Sequence, residues 1–354
     1  MPQHHYRRSC APITALATLV CLPFIFSAPV EAQDSSQFFA GKTLRMVVGG
    51  SVGGGYDVYG RMLARHISRH IPGKPDVITQ NLQGAAGVVH ANHMYNVAPR
   101  DGLALGAFNQ SSLTEPLVGN KEAKYDAQKF IFVGSMNSET AVCLLRHDAQ
   151  AKTFAEVFTT ETLLGASSRG GSLGSFAATY NNVLGTRFRI VAGYQGSPEV
   201  SLAIKRKEVQ GMCGQFWTTV EVQYPEWSDG KGEVRVFAQE GLRGLDKLNR
   251  QGVPLVYDFA RTTEQKQILQ LLYAPLLYGR PFALPPGVPA DRVAAIRAAF
   301  NAALDDKALL DEAKKSRLDI IPLSAAEIDK VIGDLYAIPP EIVNKAEAAR
   351  TTAK

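Results

Sequence analysis

The sequence predicts an α/β protein of two domains behind an N-terminal export signal. Short runs rich in β-branched residues alternate with runs of helical periodicity, an order typical of parallel sheets with crossover helices. Several of the turns between these runs are rich in glycine. Residues 33–354 number 322 (354 minus 32), and at about 100 to 200 residues per domain this length indicates two domains.

The N-terminal segment has the three parts of a secretory signal peptide. Arg7 and Arg8 form a basic start, an apolar run covers 15–26, and small residues flank Glu31 before a cleavage point after Ala32. The apolar run is too short for a membrane span of about 20 residues. Lipidation of Cys21 and a retained anchor are weaker alternatives. We expect residues 1–32 to be a signal peptide and the mature chain to work in the periplasm.

The elements of the mature chain are expected in the following order. Strands are predicted at 43–48, 76–80, 103–108, 131–134, 141–146, 163–166, 187–191, 209–213 and 233–238. Helices are predicted at 57–67, 87–97, 173–184, 198–205 and 217–224, before a less regular stretch at 241–263. After a proline-rich break, a helix at 290–304 is followed by one that a Ser324–Glu327 capping box opens, and by a last helix ending near Arg350.

Charge and motifs exclude several classes of function. The net charge is +5 and scattered, and its densest run, Lys205-Arg206-Lys207, has Glu208 beside it, so no nucleic-acid partner is expected. The first glycine turn has no P-loop lysine, and Val58 stands where a dinucleotide fingerprint needs its last glycine. We therefore expect no cofactor. No metal is expected either, because the histidine pairs lack acidic partners at zinc-site spacing: His66 with His70, and His90 with His93.

Four glycine-rich turns, each between a predicted strand and a predicted helix, are the main functional signal. They cover 49–57, 81–87, 167–172 and 193–199. Unsatisfied N–H groups and the positive dipole end make a helix N-terminus attractive to anions, and glycine lets a ligand approach the backbone. Four such turns in one α/β chain predict an anion-binding cleft at the strand ends.

A hydrolase is the main alternative. Gly170-Gly171-Ser172-Leu173-Gly174 matches the nucleophile elbow in the appropriate strand–turn–helix context. That fold places its histidine after the serine, whereas all seven histidines precede Ser172, the last being His147. An exported serine hydrolase therefore remains a weak alternative.

Three further features leave alternatives open. Arg169 suits a bidentate contact with a carboxylate or a place in an exposed loop. Trp217 can stack on a ligand or pack in the core. Cys143 and Cys213 are the two cysteines of the mature chain, and they form either a disulfide or two buried thiols.

Five motifs in order resemble the Bug family, the periplasmic receptors of tripartite tricarboxylate transporters. They are the first turn ending Gly54-Gly55-Tyr56-Asp57, Asn81–Gly87, Pro99-Arg100-Asp101-Gly102, Tyr194-Gln195-Gly196-Ser197 and Leu284-Pro285-Pro286-Gly287-Val288-Pro289. The usual prolines of the first turn are absent, Tyr56 replaces a common threonine, and the third turn lacks a histidine. The chain therefore resembles a divergent member.

The resemblance implies a two-lobed, type II periplasmic-binding-protein-like fold, each lobe a sheet flanked by helices, with the ligand cleft between the lobes. Lobe 1 is expected at 33–142 with 281–354, and lobe 2 at 143–280. It implies reversible capture of a small carboxylate, without chemistry, for integral membrane permease subunits. We expect a monomer, and an orphan ligand sensor is a further alternative.

The ligand-binding residues expected from the turns and the resemblance come from both lobes. They are Ser51, Val52, Gly53, Gly54, Tyr56, Asp57, Gly84, Ala85, Gly87 and Asn109 of lobe 1, and Ser168, Arg169, Ser172, Gly196, Ser197 and Trp217 of lobe 2.

Overall fold

Eleven strands and thirteen α-helices are found in the part of the chain that the computed structural model describes, residues 1–3, 35–50, 52–166, 172–194 and 196–350. The strands are β1 Thr43–Val48, β2 Asp76–Asn81, β3 Ala104–Ala107, β4 Ile131–Ser135, β5 Ala141–Arg146, β6 Thr162–Ala166, β7 Phe188–Ala192, β8 Gly211–Phe216, β9 Val234–Glu240, β10 Pro281–Leu284 and β11 Leu323–Ser324. The helices are α1 Ser35–Phe39, α2 Gly55–Ile67, α3 Val88–Asn96, α4 Ser172–Thr179, α5 Ser197–Lys205, α6 Trp217–Gln223, α7 Pro225–Ser228, α8 Asp246–Arg250, α9 Thr263–Leu277, α10 Ala290–Leu304, α11 Lys307–Lys315, α12 Ala325–Tyr336 and α13 Pro340–Ala349.

The strands form two sheets, and helices flank both. The first sheet has the order β11-β4-β10-β3-β1-β2, and the second β7-β6-β8-β5-β9. This confirms the predicted α/β fold with two sheet-centred lobes. The expected lobe boundary between 142 and 143 falls inside β5, all of which pairs within the second sheet.

Both sheets are mixed, whereas the strand–helix alternation predicted parallel ones. β1, β2 and β3 are parallel, as are β6, β7 and β8. β5, β9, β10 and β11 each pair antiparallel with a neighbour. β5 and β10 follow connections that pass from one sheet to the other, so the crossover geometry of a βαβ unit does not apply to them.

Helices cover both faces of the first sheet with separate hydrophobic clusters. α2 and α10 pack on one face around Met46, Leu63 and Phe300, and α3, α12 and α13 supply the other. The predicted capping box of α12 is present, since the Ser324 side chain accepts from the N–H of Glu327 and the Glu327 side chain accepts from the N–H of Ser324. No helix of the described residues has the length and apolar character that a membrane crossing needs.

Helix α9 belongs to the cores of both lobes. Ile268 and Leu277 pack in the cluster shared with α12 and α13, whereas Leu269 and Tyr273 pack in a cluster of the second lobe. In that second-lobe cluster a disulfide joins Cys143 to Cys213 across neighbouring strands. α9 and the disulfide therefore belong to the same core of the second lobe.

Candidate ligand cleft

The turns that follow β1, β2 and β3 lie at one edge of the first sheet. β1 pairs in parallel with β2, with Val48 opposite Asn81, and with β3, with Val48 opposite Ala107. β10 runs in the opposite direction, with Phe282 opposite Ala107. Arg280, which precedes β10, therefore stands at the same edge as the first two glycine turns.

The corresponding edge of the second sheet faces this one. Parallel β6 and β7 end at Ala166 and Ala192, and antiparallel β5 begins opposite the end of β8, with Ala141 beside Phe216. Only 136–140 separate β4 of the first sheet from β5 of the second. This short connection brings the edge that carries Ser172, Gly196 and Trp217 towards the edge of the first two turns.

Asp57 holds the first turn together with its own side chain. Its buried carboxylate accepts hydrogen bonds from the N–H of Gly53, from Arg61 Nε and from Asn81 Nδ2, each at 2.8 Å. Burial raises the pKa of Asp57, but the bonds from Arg61, Gly53 and Asn81 outweigh it and hold the pKa below its ordinary value. Asp57 was predicted among the ligand contacts, and the structure directs its carboxylate into the turn instead.

The neighbouring residues of the first turn remain open to solvent. Val52 is 74% exposed, and Gly53 and Gly55 are also exposed. Gly53 has φ +77°, a conformation that favours glycine. Ser51, predicted in the same turn, lies outside the described residues. The turn thus exposes backbone atoms to solvent, while the carboxylate of Asp57 forms its hydrogen bonds within lobe 1.

The second turn consists of four successive residues with positive φ. The angles are +142° at Gly84, +43° at Ala85, +51° at Ala86 and +94° at Gly87. Left-handed alanines are uncommon and cost free energy. A Cβ at Gly87 would stand 2.6 Å from the Cβ of Asn109, so the turn packs closely against the segment after β3.

Tyr56 and Asn109 connect these segments of lobe 1. Tyr56 Oη lies 3.3 Å from Asn109 Oδ1 and accepts a hydrogen bond from the N–H of Gln110 at 3.2 Å. Asn109 Oδ1 also accepts from the N–H of Ser111. Tyr56, Asn109 and Gly87, all predicted site residues, therefore lie next to one another.

The second lobe contributes helix starts and one buried indole. Ser172 begins α4 and Ser197 begins α5, directly after Gly196. Trp217 is 4% exposed and packs in a hydrophobic cluster, with Lys247 Nζ 5.2 Å from its ring centroid. Trp217 therefore packs in the core, but it also lines a cavity with Glu139 and Glu221, so its contact with a ligand stays a prediction. Ser168 and Arg169 lie outside the described residues.

The side chain of Arg280 is a charged group at this edge that sequence reasoning missed. Its guanidinium carbon lies 4.8 Å from the ring centroid of Tyr56 and 5.3 Å from that of Tyr59. A Cβ built on Gly55 would stand 3.1 Å from its Nη2 atom. The only local signal was an arginine directly before a short apolar run, Pro281–Leu284, which the sequence analysis did not interpret as a strand.

The structure gives the hydrolase alternative no histidine partner. β5 begins at the cleft edge and ends at Arg146, so His147 lies at the opposite edge of the second sheet from Ser172. His66 pairs with Glu312 at 2.7 Å and His70 with Asp306 at 2.9 Å, both on the far side of lobe 1. Among the described residues, no hydrogen bond joins a histidine to Ser172.

Solved structures with a similar fold include solute-binding proteins. A TctC solute-binding protein from Polaromonas aligns with a TM-score of 0.69 and 19% identity, covering 86% of this chain and 98% of that one. The MatC protein of Rhodopseudomonas palustris, solved with bound malate, aligns with a TM-score of 0.53 and 19% identity, covering 87% and 99%. The chain therefore has the two-lobed fold of the TctC-type receptors.

Comparison of sequences alone finds similarity over a smaller part of the chain. A UPF0065 protein of Cupriavidus necator is 36% identical over 107 residues, which are 30% of this chain. The match spans 29% of that relative's length. No protein-family model matches the chain.

Proposed function

We propose that the chain is a periplasmic receptor of the Bug type that captures a small organic carboxylate for a tripartite tricarboxylate transporter. One observation carries this proposal: the turns at 52–55 and 84–87, in which Val52, Gly53, Gly55 and 84–86 are exposed, meet at one sheet edge, and the edge of the second sheet lies next to it. Backbone N–H groups at helix starts suit a carboxylate oxygen. The malate bound by the R. palustris neighbour supports the same class of ligand.

The proposed mechanism is binding without chemistry. One carboxylate is held by donors of 51–56 and 84–88, and 168–172 with 196–197 complete the cage from the other lobe. The segments 136–140 and 278–280 connect the sheets and act as the hinge. Closure of the lobes then gives the permease a ligand-dependent surface to recognise. The receptor works as a monomer in the periplasm after removal of residues 1–32.

A thermal-shift screen tests the ligand class. The purified protein is heated with succinate, malate, adipate or citrate, and with the corresponding neutral amides and glucose as controls. An acid at 100 times its Kd stabilises the native state by about 2.7 kcal/mol, a rise in Tm on the order of 5 °C. The amides should leave Tm unchanged. A rise with glucose and with none of the acids would refute the carboxylate assignment.

An uptake experiment tests the transport role separately. Cells lacking the protein should take up the radiolabelled acid that binds best more slowly than the parent strain. Undiminished uptake, together with tight binding in solution, would favour a sensor that presents its ligand to another partner.

A further inference from the structure

Arg280 is enclosed at the cleft edge without a carboxylate partner. Among the described residues no carboxylate oxygen lies within 4.0 Å of its guanidinium nitrogens. Nη1 donates to the carbonyl of Gly279 at 2.8 Å, whereas Nε is buried and has no hydrogen-bond partner in the described part of the chain. The rings of Tyr56 and Tyr59 cover the guanidinium. The cation is therefore held in place, and no carboxylate of the described residues forms an ion pair with it.

Glu139 is an acid whose charge acts on Arg280, but its carboxylate already accepts hydrogen bonds from other groups. Glu139 interacts with Arg280 only at longer range. One of its oxygens accepts from Thr218 Oγ1 at 2.9 Å and the other from the N–H of Thr140 at 3.3 Å. Glu139 therefore anchors the hinge segment to α6 of the second lobe, and it is not the direct counter-ion of Arg280.

An unpaired, partly desolvated cation costs free energy that a bound anion can recover. Removing a charge from water is unfavourable unless an opposite charge and hydrogen bonds replace the solvent. The ring faces of Tyr56 and Tyr59 compensate for this only in part. Gly55 lies beside the guanidinium and has no side chain to cover it. The guanidinium thus packs directly against the backbone of the first turn, whose N–H groups are the other proposed donors to the ligand.

We propose that Arg280 binds a carboxylate of the ligand directly, at the floor of the cleft, with Tyr56 and Tyr59 holding its guanidinium in position. The proposal deepens the carboxylate-receptor function and rests on it. It adds a charged contact to the backbone donors of the first turn. It also requires an ionised carboxylate, because an amide lacks the negative charge that the unpaired guanidinium needs.

Arg292 provides a matched control within lobe 1. Its guanidinium carbon lies 3.6 Å from the ring centroid of Phe38, Nη1 donates to the carbonyl of Asp101 at 2.8 Å, and Nε is buried without a partner in the described residues. Asp101 precedes β3, so Arg292 stands at the sheet edge opposite the cleft. The two arginines share ring contact and burial, and only one faces the proposed ligand.

Calorimetric titration with succinate, malate, adipate and citrate compares the parent protein with Arg280→Gln and Arg292→Gln. We expect binding to weaken about 10- to 100-fold in Arg280→Gln, since a hydrogen bond to a charged group contributes on this scale. Arg292→Gln should bind within about twofold of the parent. Arg280→Lys should bind with an intermediate affinity, because it keeps the charge and loses the planar fork.

Gly55→Ala tests the same contact with Arg280 in place. The added Cβ would stand 3.1 Å from Nη2 and displace the guanidinium, so binding should weaken while the melting temperature of the unliganded protein stays level or rises. This variant decides the matter if Arg280→Gln fails to fold. Unchanged affinity in folded Arg280→Gln, or in Gly55→Ala, overturns the role of Arg280 and leaves the receptor function standing. A parent protein that binds none of the four acids overturns the receptor function itself.

Discussion

Glu240 is expected to make the protein less stable as the pH rises from about 4.5 to about 8. Its carboxyl group is fully buried at the end of β9, where one oxygen accepts from Tyr180 Oη at 2.7 Å and the other from the N–H of Gly214 at 2.6 Å. Burial raises the pKa of Glu240 from 4.5 to about 8, and the two hydrogen bonds oppose this only in part. The native protein therefore keeps this proton at neutral pH.

The magnitude follows from proton linkage. Between about pH 4.5 and 8 the unfolded chain has lost the proton and the native state still holds it, so unfolding releases one proton and stability falls with rising pH. At about 1.4 kcal/mol per pH unit, the loss over this window is about 5 kcal/mol. Below the window both states are protonated, and above it both are ionised, so the contribution is constant there.

Glu240→Gln removes the titration and keeps the shape of the side chain. Its amide can accept from Gly214 and donate to Tyr180, whose hydroxyl also accepts from Tyr273 at 2.7 Å. Urea unfolding of the oxidised protein at half-unit steps from pH 5 to 9 gives the free energy of unfolding for both forms. The parent should lose about 3 kcal/mol more than the variant between pH 5.5 and 7.5. Equal slopes in the two proteins would refute the assignment of a buried neutral carboxyl.

Three further predictions follow from other buried contacts. Burial lowers the pKa of His90 from 6.5 to about 3, so the native state stays neutral while the unfolded chain binds a proton. Stability should therefore fall below pH 6.5 by about 1.4 kcal/mol per unit, and His90→Gln should lack this slope in acid urea unfolding. Gly87→Ala should cost about 1 to 3 kcal/mol in denaturant unfolding and weaken carboxylate binding, because its Cβ meets Asn109; full stability with full binding would contradict the geometry. Reduction of the Cys143–Cys213 disulfide, which links residues 70 positions apart, should lower the free energy of unfolding by about 2 to 4 kcal/mol. The Tm of the parent should therefore fall when reductant is added. The Tm of a Cys143→Ala, Cys213→Ala double variant should not change with reductant.

Local patterns predicted β1 and the start of α12. β1 lies at 43–48 as expected, and the capping box of α12 is formed as expected. α9 and β10 were missed. α9 packs apolar residues into two different cores and contains Pro275, so it shows no single apolar stripe. β10 has four residues, too few to display a period.

The candidate site was predictable in its backbone and not in its side chains. Glycine between a strand and a helix is a local signal, and the first two turns were found from it. Arg280 reaches Gly55 through a contact between distant parts of the chain, which no local spacing reveals. Asp57 ends the glycine-rich pattern of the first turn, but Asn81, one of its hydrogen-bond partners, lies in the next strand. Its role in holding the turn together is therefore visible only in the folded structure.

The hydrogen bonds of lobe 1 distinguish two kinds of residue in the candidate site. Some hold the turns in shape, and others have groups left to bind a ligand. Asp57 is saturated by Gly53, Arg61 and Asn81, and Tyr56 is fixed by the segment after β3. Because these side chains form their hydrogen bonds within lobe 1, the exposed backbone N–H groups are held in a fixed arrangement. Ligand binding then costs less conformational entropy of the protein. Backbone donors serve any carboxylate alike. If the proposed function holds, discrimination between acids is expected from groups with charge or shape, such as Arg280 at this edge of lobe 1, and from the turns of lobe 2.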